Sequence, residues 1–111
     1  MSKISNEMIP IEITPTDLSS GITIVRNACY RIGKLVVINL VFLNASALSQ
    51  FAKICTFPRP ACQTTPNGYD NILRLYDSGT PFDLLYDGRL VVDDALQATT
   101  TTVSGCYITR D

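Results

Sequence analysis

One stretch limits what this chain can fold into. Tyr30-Arg31-Ile32 approaches a Gly33-Lys34 turn, and Leu35 to Leu43 leaves it as LVVINLVFL. Those nine residues contain one polar member, Asn39, together with three valines and one isoleucine. Branched side chains of this kind fit a pleated strand better than a helix. Because the run is apolar at odd and even positions alike, it predicts a strand covered on both faces. It falls far short of the roughly 20 residues that a membrane-spanning helix needs.

Other segments read as strands separated by turns. Ile9-Pro10-Ile11-Glu12-Ile13 alternates, and Pro10 confines it to a sheet edge. Thr14 to Ser20 has loop composition, so Met1 to Ser20 reads as an arm or linker and residues 21–111 as the folded domain. Ile22, Ile24, Arg26, Ala28, Tyr30 and Ile32 share one parity and are expected to face inward, with Arg26 marking a bulge or a strand end. Glycine-first Gly33-Lys34 suits a type II′ hairpin. Phe51 to Phe57 alternates until Pro58-Arg59-Pro60 stops it.

Further along, Cys62 to Thr65 forms a short strand candidate, and Pro66-Asn67-Gly68 a turn. Asn71 to Tyr76 is a strand, and Phe82 to Tyr86 joins Arg89 to Val92 through Asp87-Gly88, the strongest hairpin signal present. Val103 to Thr109 closes the chain. No helical period of useful length occurs. Seven or eight strands at this spacing predict an all-β fold, an antiparallel β-sandwich of jelly-roll type.

Charge and composition narrow the functional classes. Net charge is −1 and the isoelectric point is near 5.2, which gives no electrostatic footprint for nucleic acid or an anionic membrane. Charged residues are 17% of the chain, below the usual ~25%, which suggests that other subunits cover part of the surface. There is no histidine, and with it go the usual general base and the commonest metal ligand. The acids offer no obvious dyad, since Asp93 and Asp94 are adjacent and would point to opposite sides of a strand. The reading is non-enzymatic, with no cofactor and no metal.

Lys3 is followed by the mostly polar Ile4-Ser5-Asn6-Glu7 and not by an apolar run, so no secretory signal is expected and synthesis is cytoplasmic. Asn44-Ala45-Ser46 matches a glycosylation sequon that such a protein would not use. Of the four cysteines, Cys55 and Cys62 flank a turn that could bring them together, whereas the compartment favours reduced thiols packed as small hydrophobes. The ligand candidates are Asn67, Tyr69 and Asp70 in the turn and Arg74 in the strand after it. An aromatic ring beside a turn glycine, flanked by amide and carboxylate, can stack on and hydrogen-bond a saccharide.

The order of these pieces resembles the small β-sandwich domains of tailed-bacteriophage virion proteins, found at tips of tail fibres, receptor-binding proteins and head fibres. The likeness is carried by Tyr30-Arg31-Ile32-Gly33-Lys34 before a long apolar strand, by Phe51 to Phe57 before Pro58-Arg59-Pro60, by Asp87-Gly88-Arg89-Leu90-Val91-Val92, and by Ser104-Gly105-Cys106-Tyr107-Ile108-Thr109. The chain departs from the pattern where members carry a glycine-tyrosine before the arginine-proline, because Phe57-Pro58 meets Arg59-Pro60 directly. The resemblance implies a virion structural protein, homotrimeric about a three-fold axis, that touches host cell-surface polysaccharide. Alternatively it implies an auxiliary capsid decoration protein that caps other virion proteins.

Overall fold

A computed structural model describes residues 9–61, 71–77 and 80–111, the side chains of 71–77 excepted. The described residues contain no helix and form two antiparallel sheets. The first sheet, curled like half a barrel, contains β1 (Ile11–Glu12), β2 (Ile22–Asn27), β3 (Tyr30–Ile32), β4 (Leu35–Asn44) and β9 (Thr100–Ile108). The second has β5 (Lys53–Thr56), β6 (Asn71–Asp77), β7 (Thr80–Leu85) and β8 (Arg89–Val92), in the order β5-β8-β7-β6.

β4 is the hub of the first sheet. β9 pairs with it from Leu35↔Ile108 to Leu43↔Thr100, while β3 and β2 share its other edge. The turn before it forms as the residues require: Gly33 has φ +57, and Lys34 is not among the residues of positive φ. β1 lies on the edge beyond β3, with Pro10 just ahead of it. The segment that follows is tied to both sheets, through Ile13 N–H to Cys29 O, Thr16 N–H to Thr56 O and Ser19 N–H to Ile54 O.

The core lies between the sheets. Val36, Ile38, Leu40 and Phe42 of β4, together with Val103 and Tyr107 of β9, meet Ile54, Phe82, Leu84, Leu90 and Val92 of the second sheet. The Phe42 and Phe82 rings stand edge to face with centroids 6.0 Å apart, an arrangement their quadrupoles favour. At the β7–β8 turn Gly88 has φ +91, and a Cβ there would lie 2.1 Å from the Phe57 carbonyl oxygen. That approach lets Phe57 N–H donate to Gly88 O at 2.8 Å, so the turn tolerates no side chain.

Three expectations change. β4 is not covered on both faces: its even residues are buried, whereas Leu35, Val37 and Val41 are half-buried and Asn39 and Leu43 exposed. Tyr30 and Ile32 do not share the inward face of Ile22 and Ile24. A bulge between Ile24 and Arg26 inserts a residue and flips the parity, so Tyr30 and Ile32 pair with Val37 and Leu35 on the outer side. A second irregularity, between Lys53 and Cys55, breaks the expected alternation from Phe51 to Phe57 and buries both Ile54 and Cys55.

Candidate functional site

Turns and strand ends converge on one pole. The end of β5 runs into Pro58-Arg59-Pro60, which lies along the end of β9. Tyr107 hydroxyl donates to Pro58 O, Thr109 Oγ1 to Arg59 O, and Ala61 N–H to Ile108 O. Arg59 is held to Asp111 by a guanidinium fork from Nε and Nη2 and by its own backbone N–H at 2.7 Å from Oδ2. Arg31 Nη2 and Lys34 Nζ donate to the Asp111 main-chain oxygen at 2.9 and 3.1 Å, and Arg110 Nη2 reaches Tyr86 O at 3.0 Å. Two guanidiniums and an ammonium thus gather on Asp111, with the Arg110 guanidinium beside them.

The electrostatics follow from these contacts. Hydrogen bonds from the Arg59 side chain, then from its backbone, lower the Asp111 carboxyl to about 2. The same fork raises Arg59 above the ordinary guanidinium range. Burial pushes the Tyr107 hydroxyl up, against a smaller lowering from Arg31, so it stays a protonated donor. Among the described residues, Arg110 Nε is buried without a hydrogen-bond partner.

The described residues that flank the proposed ligand turn lie at this pole. Asn67, Tyr69 and Asp70 lie outside the described residues, as do Cys62 to Thr65. The described residues on either side are Ala61, bonded to β9, and Asn71, paired with Leu85 just before the Tyr86-Asp87-Gly88 turn. Arg74 lies on β6 opposite Asp83 of β7, a carboxylate that is 5% exposed. Tyr107 is buried, and Arg89 is engaged with Asp87 at 2.8 Å.

Asp94 caps Ala95 N–H and Asp93 accepts from Gln50, as expected of a solvated turn. Asn44 is 1% exposed and donates to Ser46 O and Gln97 O, so its amide is inaccessible to glycosylation. Cys55 is a free, buried thiol raised to about 12, chiefly by burial. Among the described residues no group of three or more His, Cys, Asp or Glu is placed to hold a metal ion. No helix there is long and apolar enough to cross a membrane.

Two features escaped the sequence reading. Phe51 is 65% exposed at φ +71, a left-handed conformation uncommon for an aromatic residue, and its N–H bonds Val92 O. Alternation had placed it in a strand, and no local signal marked it otherwise. The second is the outer face of the β3–β4–β9 sheet. Cross-strand partners share a face, so Ile32, Leu35 and Ile108 form one outward row and Tyr30, Val37 and Cys106 the next.

Compared with protein-family models, curated proteins and solved structures, the chain matches none.

Proposed function

We propose that this protein is a non-enzymatic bacteriophage virion component, a jelly-roll-like tip domain that presents its 66–70 turn to host cell-surface polysaccharide. The observation that carries the reading is the pole itself. Arg31, Lys34, Arg59 and Arg110 gather where Ala61 and Asn71 flank the turn. A rigid scaffold with cationic groups near the two ends of an Asn-Gly-Tyr-Asp segment suits an acidic or hydroxyl-rich saccharide. Stacking on the Tyr69 ring would supply contact area, and Asn67, Asp70 and Arg74 the orienting hydrogen bonds.

The test is binding of the intact chain to host cells and to their purified polysaccharide. Binding is expected, with loss on Tyr69→Ala and weakening on Arg74→Gln. Cell binding that survives both substitutions rejects the turn as the site. Labelled antibody in electron micrographs of particles tests the virion location separately.

One observation favours a second reading, an auxiliary capsid decoration protein. The outer face of the first sheet carries exposed apolar side chains, with Val25 57% and Ile108 54% exposed. A decoration protein needs such a face to seat on other subunits. Co-purification with capsids together with absence of cell binding selects this alternative.

A further inference from the structure

Among the described residues, the outer face of the first sheet carries two ionised side chains, Glu12 and Arg26, of opposite sign. Both are exposed, and neither has an ion-pair partner among the described residues. Register places them symmetrically along the strand direction, Glu12 on β1 two strands from β4 and Arg26 on β2 next to it. Glu12 pairs with Tyr30 and Tyr30 with Val37, two positions before Asn39, whereas Arg26 pairs with Val41, two positions after it. Within one chain they are separated by about 13 Å along the strands, too far to meet.

We infer that two copies of this chain pack face to face through this sheet about a two-fold axis at Asn39, perpendicular to the strands. Such an axis exchanges positions before and after Asn39. Val37 then lies over Val41 of the other copy, Leu35 over its Leu43, and Glu12 beside its Arg26, each contact made twice as an isologous interface requires. The exposed Asn39 amide meets its own equivalent, where one carbonyl and one NH2 group can bond reciprocally. Sheets packed this way lie about 10 Å apart, a gap that glutamate and arginine side chains span.

β4 has ten residues and extends about 33 Å, with neighbouring strands about 4.8 Å apart. Taken as flat, the face covers at most roughly 500 to 600 Å² per copy, and a pair would bury at most on the order of 1,000 to 1,200 Å², the size of a weak, reversible interface. A three-fold arrangement, which the phage resemblance implies, would not bring each Glu12 to an Arg26 through one self-complementary contact. The two-fold pairing does not rest on the virion reading, and it stands or falls whatever the particle location proves to be.

The experiment is sedimentation equilibrium of the full chain over a concentration series, with circular dichroism to confirm that each variant keeps its strands. The wild-type chain is expected to be a dimer. Glu12→Arg and Arg26→Glu alone place like charges together twice and should weaken association on the order of tenfold or more. The double reversal, E12R with R26E, should restore it to within about threefold of wild type. Val41→Asp, at a half-buried outer position, should give a folded monomer. A monomer at all concentrations overturns the proposal, as does a trimer, or a dimer in which the double reversal is no tighter than the singles.

Discussion

The two faces of β4 carry side chains of similar character to opposite fates. Phe42 is 0% exposed and its neighbour Leu43 is 39% exposed, although both are large and apolar. The inner residues meet the second sheet, whereas on the outer side Leu35, Val37 and Val41 are only half-buried and Asn39 and Leu43 are exposed. In the second sheet the contrast is reversed. Phe82-Asp83-Leu84 and Leu90-Val91-Val92 are buried at consecutive positions, so β7 and β8 are covered on both sides with a carboxylate among the enclosed residues. An apolar strand is thus not necessarily enclosed twice, and a strand that is enclosed twice need not be wholly apolar. Facing surfaces decide the matter.

The largest test of this difference sets one face against the other in a denaturant titration. Phe42→Ala removes the ring packed on Phe82 and should destabilise by about 3 to 5 kcal/mol. Leu43→Ala should cost about 1 kcal/mol or less under conditions where the chain is monomeric, since little area leaves the interior. Comparable losses would mean that the outer face is enclosed after all.

Thiol labelling sharpens the same comparison. Cys106 lies outward on β9 and is exposed, whereas Cys29 and Cys55 are buried. Under conditions where the chain is monomeric, a maleimide should modify Cys106 in the folded protein at least about a hundredfold faster than Cys29 or Cys55, read by peptide mass spectrometry. The buried pair should react only through unfolding, because burial raises both thiols and suppresses the reactive thiolate. Prompt modification of Cys55 would contradict the packing of the two sheets.

The smallest effect lies at the rim where the faces meet. Asp111 titrates near 2 against an ordinary value of 3.8. A depressed folded value means that its pairing with Arg59 stabilises the protein fully above pH 3.8, and that this contribution is lost as pH falls through about 2. The group is exposed, so the gain is small. Carboxyl NMR should show the low midpoint, and Arg59→Gln should return it toward 3.8. A midpoint unmoved by the substitution would show that the fork does not set it.

Local chemistry made much of the fold legible. Gly33 and Gly88 identified their turns because each backbone needs a positive φ. Pro10 put β1 at an edge, and Arg26 drew attention to a bulge by interrupting an apolar parity. What the bulge does further along was not legible. One inserted residue turns Tyr30 and Ile32 outward, and parity counted across it gives the wrong face. The polar cluster was hidden for another reason. Arg59 and Asp111 are 52 residues apart, and no local pattern couples them. Of the ligand candidates, Arg74 is placed opposite Asp83, whereas Asn67, Tyr69 and Asp70 belong to the stretch outside the described residues.

The sequence alone determined an all-β chain, the positions of most of its strands and the glycines on which its hairpins turn. These depend on backbone preferences within a few residues of each site. The tertiary structure alone decided which side of β4 is enclosed, where Arg31, Lys34, Arg59 and Asp111 meet, and which apolar rows are left outside. Enclosure and ion pairing belong to two surfaces at once, and only the path of the whole chain brings those surfaces together.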